Sequence, residues 1–293
     1  MTRAKTILGG LTLKELALKT WRAIYQHDCF GRAAELAFYF LLALFPLLIV
    51  LLNVISFMPG VQETILFWLS RLMPPDATRI VETWVQNVFA NRSGGLVSFG
   101  LIFSLWAAST GMGALIAALN SAYEVEEGRP FWKAQLVALG LIIALCLLVI
   151  GGAVLITFGD PLASGLANLV GYQKTIGKIW LVIRYLTGLA MLIIGMAVIY
   201  VFAPNARQRW TWVAPGVVFA VVSLVSASYL FSLYIRYAPS YNAIYGSLGA
   251  VIVLMLWLYL MGLIMYIGGE INSQVASAAG KRVVRKVSLT PHE

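Results

Sequence analysis

Few residues in this chain are able to do bond-breaking chemistry. There are two histidines, His27 and His292, both near the ends, and two cysteines, Cys29 and Cys146. A metal-dependent nuclease or hydrolase needs histidines and carboxylates clustered around its ions, and a metal-free one needs an acid and a base in reach of each other. The one acidic cluster, Glu124, Glu126 and Glu127, falls on a short loop beside Arg129 and Lys133. That is the pattern of a solvated charged turn rather than a metal site. A Gly-rich phosphate loop with its lysine, a nucleophile elbow and zinc-ligand spacing are all missing from the sequence. The residues therefore read as those of a non-enzyme, with no cofactor and no metal.

What remains is binding chemistry, carried by polar groups set within or beside apolar stretches: Arg184, Asn53, Asn120, Asn242, Tyr245, Glu270 and Asn272. Intramembrane polar groups are costly unless they face protein, a cavity or a substrate path. Arg184 has three readings. It can snorkel to headgroups, pair with Asp160, or offer a guanidinium fork to a phosphate or carboxylate headgroup. Glu270 and Asn272 fit capping or pairing at the inner end of the last apolar segment better than a proton relay. Tyr241, Asn242 and Tyr245 fit an interfacial aromatic belt or a turn re-entering the bundle. Pro46 lies mid-segment, where a missing backbone bond and a clash with the carbonyl four residues back predict a kink near Leu42 and a gating bend.

The elements that must position these groups are membrane spans. The chain is 60% hydrophobic and 11% charged, with a mean hydropathy of +0.85, against about 25% charged in soluble domains. An all-α polytopic membrane protein is the class that fits, as a single domain over residues 1–293 with six transmembrane helices. They are expected near 37–57, 96–120, 134–158, 179–202, 213–235 and 248–271. The last, about 36 Å long at 1.5 Å per residue, crosses a hydrocarbon core of about 30 Å with some tilt. Asp160, Pro161 and Gly165 are expected to form a loop after span three. Residues 59–92 are too polar to span, and two short interfacial helices account for their apolar stripes.

Residues 1–34 form an amphipathic N-terminal segment, with Thr12 and Glu15 as a capping box. Its helix can lie on the membrane surface or pack on the bundle. Residues 273–293 are a basic tail. Fourteen Lys and Arg fall on the side of the termini, six on the other, and Arg184 within a span. The positive-inside rule then puts both termini in the cytoplasm. The net charge of +9 gathers at the termini beside apolar spans, so the expected partners are membrane lipids with anionic headgroups, not nucleic acid. A small-residue ridge on span two, Ser104 to Ser121, serves either the bundle or a homo-oligomer interface. Asn91, Gly95, Leu105, Trp106 and Gly111 stand 151 residues before Asn242, Gly246, Leu256, Trp257 and Gly262. This spacing raises a repeat of two hairpins as one explanation, and coincidence as the other.

One group of motifs is Ala37-Phe38-Tyr39, Phe45-Pro46-Leu47-Leu48, Ala118-Leu119-Asn120 with Tyr123, and Arg129-Pro130-Phe131-Trp132. A second is Pro215-Gly216, Phe231-Ser232-Leu233-Tyr234, Tyr241-Asn242-x-x-Tyr245-Gly246-Ser247, Trp257-Leu258-Tyr259 and Gly269-Glu270-Ile271-Asn272. In these the chain resembles the YihY/BrkB family of bacterial inner-membrane proteins. The resemblance implies an inner-membrane transporter or envelope-integrity protein, in a family that once carried a ribonuclease label. The sparsity of carboxylates near the bilayer midplane favours a translocator, flippase-like, for an anionic amphiphile or lipid-linked substrate. The rival is a structural or scaffolding membrane protein.

Overall fold

A computed structural model describes residues 8–55, 66, 78–79, 82–83, 96–170, 173–206, 208–237 and 247–279. Seven helices follow in order: α1 (Leu13–Gln26), α2 (Cys29–Ile55), α3 (Leu96–Ala122), α4 (Phe131–Val170), α5 (Gln173–Phe202), α6 (Trp210–Tyr237) and α7 (Ser247–Ala278). Long runs of apolar residues, with few helix breakers between them, dictate this architecture. Among the described residues, four stretches are long and apolar enough to cross a membrane: Phe131–Leu155, Thr175–Phe202, Trp210–Tyr234 and Val251–Ala278. The tail from 280 onward, nearly all of 59–92, and Asn242 and Tyr245 lie outside the described residues.

The expected loop at Asp160, Pro161 and Gly165 does not form. α4 runs unbroken through all three to Val170, with Pro161 inside the helix. A proline removes one backbone hydrogen bond, and the helical bonds on either side of Pro161 carry α4 past it. Pro46 likewise sits inside the continuous α2.

α7 is the hub. It packs against α1, α2, α3 and α6, while α4 pairs with α5 on the flank and α3 and α6 join that pair to the rest. In its most apolar stretch 44% of α7 is buried, against 28% for α4 and for α5. The flanking helices turn large side chains such as Leu147, Leu181, Leu186, Val218 and Val222 outward. Helices gain little from burying apolar surface when the surroundings are equally apolar, so close approach has to come from small residues. A Cβ built on Gly111 would stand 2.7 Å from the Ala43 Cβ, and one on Gly262 would stand 3.1 Å from the Leu36 Cβ. The two glycines that the 151-residue spacing equates thus face the same helix, α2, whereas a strict two-hairpin repeat would set Gly262 against α6.

Candidate functional site

Three sets of hydrogen-bonded polar groups among the described residues lie at the end of the bundle that carries α1. This helix starts where Thr12 Oγ1 accepts the Glu15 amide at 3.3 Å and Glu15 Oε2 accepts the Thr12 amide at 2.8 Å, a complete capping box. Leu16, Thr20, Ala23 and Ile24, at helical spacing, form its buried face against α7, while Leu18, Trp21 and Tyr25 stay exposed. The chain then turns sharply. Asp28 takes a left-handed φ of 47°, and its Oδ1 accepts the Gly31 amide at 3.3 Å to cap α2. This corner holds His27 at the C-cap of α1, pointing at α7.

His27 meets Glu270. Nδ1 of the imidazole lies 2.7 Å from Glu270 Oε1, and its Nε2 lies 3.7 Å from Glu124 Oε1. Glu270 is fully buried and Glu124 is exposed, so the imidazole bridges the interior and the surface. Beside it a cavity of about 500 Å³ opens outward between His27, Asp28, Arg32, Glu35 and Ser121. Arg32 and Glu35 form a 3.8 Å ion pair on its wall.

A second set of bonds ties the loop after α3 to the loop after α5. Asn120 donates to Glu127 Oε2 at 2.8 Å and accepts the Asn205 backbone amide at 2.7 Å. Arg129 grips Glu127 with two side-chain bonds of 2.6 Å each and donates a third, at 3.1 Å, to the Ala203 carbonyl. Asn205 returns a bond of 3.2 Å to the Glu126 carbonyl. Burial alone would raise the Glu127 carboxyl. The bonds from Arg129 and Asn120 outweigh burial and hold it below the ordinary value of 4.5. The acidic turn is therefore a partly buried clamp at Glu127 and a solvated charge at Glu124.

A third set joins α7 to α5 and α6. Asn272, fully buried, accepts the Gly216 amide at 2.7 Å, and the Tyr200 hydroxyl donates to the Met265 carbonyl at 2.8 Å. A Cβ on Gly216 would collide with the Gly268 carbonyl and with Asn272. The Tyr123 hydroxyl approaches Asn272 without completing a hydrogen bond. Burial, with the Glu270 charge adding to it, pushes that phenol well above its ordinary value.

Of the residues picked out in the sequence, Asn120, Glu270 and Asn272 are brought to this one end. Arg184 is not. It sits half-buried on α5 among exposed Ile183, Tyr185 and Leu186, about 24 Å along the helix axis from Tyr200. The Asn53 side chain lies outside the described residues, as do Asn242 and Tyr245. From the sequence, His27 reads only as a histidine near the chain end and Glu127 beside Arg129 as a solvated charged turn, and Asn205 is not singled out. The signal for Glu127 was its place two residues before an arginine in a tight Gly-Arg-Pro turn. For His27 there was none, since its partner lies 243 residues away.

A helical bundle with four membrane-length helices and its hydrogen-bonded polar groups drawn to one end is a multi-pass membrane protein. The chain belongs to the Virulence factor BrkB family, whose sequence profile matches residues 20–287. It is 38% identical over 247 residues to the ribonuclease-like protein YfkH of Bacillus subtilis, covering 84% of this chain and 90% of that one. It is 24% identical over 298 residues to a UPF0761 membrane protein of Tolumonas auensis, covering 96% and 92%. A UPF0761 membrane protein of Nitrosospira multiformis is 28% identical over 257 residues, but this chain spans only 59% of that protein's length. No solved structure matches.

Proposed function

We propose that this is a six-span protein of the bacterial inner membrane, with both termini in the cytoplasm, that translocates an anionic amphiphile or lipid-linked substrate. The observation that carries this reading is the open cavity of about 500 Å³ at the α1 end, with Arg32 on its wall and the buried polar groups behind it. It serves as an inner vestibule. Arg184, half-buried toward the other end of α5, serves as the outer headgroup contact. The apolar tail stays in lipid along the exposed flanks of α4 to α6, so only the headgroup needs a polar route. Asn120 and Asn272 also make hydrogen bonds that hold helices and loops together. Nuclease chemistry is set aside: YfkH carries that word in its name, yet of the two histidines here one is committed to Glu270.

The test is a proteoliposome assay with fluorescently labelled anionic lipid, following headgroup movement between leaflets. Movement that falls at least tenfold on Arg184→Ala supports the reading; no movement with the wild-type chain ends it. The second reading, a non-transporting scaffold, is favoured by the interhelical bonds that close the α1 end around Asn120 and Asn272. It is the reading left standing by a negative flipping assay.

A further inference from the structure

Glu270 is a fully buried carboxyl with only half of its hydrogen-bonding demand met. Oε1 has His27, but Oε2 has no hydrogen-bond partner. Tyr123 Oη and Asn272 Nδ2 are among the other buried polar atoms in that condition, and the Tyr266 hydroxyl approaches Ser121 without completing a hydrogen bond. Both tyrosines fall within reach of the Glu270 charge. An ionised carboxylate left this bare in a medium of low dielectric is very costly, and such groups are held neutral or paired. A single proton shared with His27 makes the pair neutral overall, whichever of the two carries it.

The surroundings decide what happens when that proton leaves. His27 faces Glu270 from the C-cap of α1, Asp28 stands at the corner, and α2 contributes Cys29 and Arg32. Tyr123 and Glu124 face it from the turn after α3, and Tyr266 from α7 itself. Among the described residues, α6 brings the Gly216 amide, spent on Asn272. Without the shared proton the site holds a net negative charge, with two further carboxylates nearby and Arg32 already paired with Glu35. Hydrating Glu270 would relieve it. The way to do so is to lift the His27 corner away from α7 toward the open cavity that His27 already lines.

We infer that Glu270 and His27 form a proton-binding site, reached from the cavity at the α1 end, and that the bound proton holds α1 docked on α7. Docking is then strongest at low pH and weakens as pH rises, because losing the proton leaves a buried negative charge that only the lifted, hydrated state relieves. The inference does not rest on the translocation reading, and its test involves no transport.

Hydrogen–deuterium exchange of the full chain in nanodiscs, corrected for the intrinsic pH dependence of exchange, reads the opening of α1 across roughly pH 5 to 8. One linked proton raises the opening constant of residues 16–26 by up to about tenfold per pH unit. Glu270→Gln, neutral at every pH, is expected to flatten the profile. A flat wild-type profile overturns the inference, as does a Glu270→Gln chain that keeps the wild-type slope. Should the variant fail to fold, the wild-type profile decides alone.

Discussion

Asn272 on α7 reaches across to the backbone amide of Gly216 on α6 at 2.7 Å, at the place where Gly216 and the Gly268 carbonyl are too close for a side chain. One side chain and one missing side chain thus fix the same helix crossing. Gly216→Ala must push the two backbones apart, and overpacking of this kind costs about 1–3 kcal/mol. Asn272→Ala loses this interhelical hydrogen bond, at about 0.5–1.5 kcal/mol. Since both act on one contact, the double variant should lose clearly less than the sum of the two. Thermal unfolding in detergent, run as a double-mutant cycle, checks this; strict additivity would show the two are unconnected.

Glu127 makes the α3–α5 clamp sensitive to acid. Its carboxyl is held below the ordinary value of 4.5, so the folded state binds this proton more weakly than the unfolded chain does. The stability this contributes is complete above that ordinary value and is lost as pH falls through the lowered one. Glu127→Gln should lower the melting temperature near neutral pH and reduce the further loss below about pH 4.5. Melting curves between pH 3 and 7 measure it. An acid slope unchanged in the variant would place the sensitivity elsewhere.

At the α1–α2 corner, a Cβ on Gly31 would collide with the Asp28 carboxylate that caps α2. Gly31→Ala should therefore cost about as much as losing the cap, roughly 0.5–2 kcal/mol. Asp28→Gly keeps the left-handed backbone and should cost only a few tenths. If Gly31→Ala melts with the wild type, the cap contributes nothing to the corner.

Tyr200 is fully buried and spends its hydroxyl on the Met265 carbonyl of α7. Tyr200→Phe keeps the ring and loses one bond, for an expected loss of about 1 kcal/mol. Unfolding in denaturant gives the number; no change would mean the carbonyl's own helical bond already suffices.

Helices were legible in the sequence because apolar runs of membrane length admit few alternatives, and the Thr12–Glu15 cap was readable from spacing alone. Asp160-Pro161-Gly165 misled because those residues end helices in water, whereas α4 continues through them to Val170. Asn120, Glu270 and Asn272 stood out as polar groups in apolar surroundings. That they close one end of the bundle depends on partners 85, 243 and 56 residues away. Periodicity within one helix carries no information about such pairs. Arg184 stood out on the same ground, yet its helix carries it to a different level of the bundle.

The docking of α1 on α7 also sets an order for biosynthesis. His27 is made early and Glu270 is 243 residues behind it. At about 5–20 residues per second the first helix waits on the order of 10 to 50 s before its receiving surface has been translated. Throughout that interval Leu16, Ala23 and Ile24 lack the α7 part of their packing surface, and the exposed Leu18, Trp21 and Tyr25 extend the same apolar character around the helix. The nascent chain must keep this segment from aggregating until the last helix is inserted, so a ribosome stalled before α7 leaves an unclosed chain with its first helix undocked.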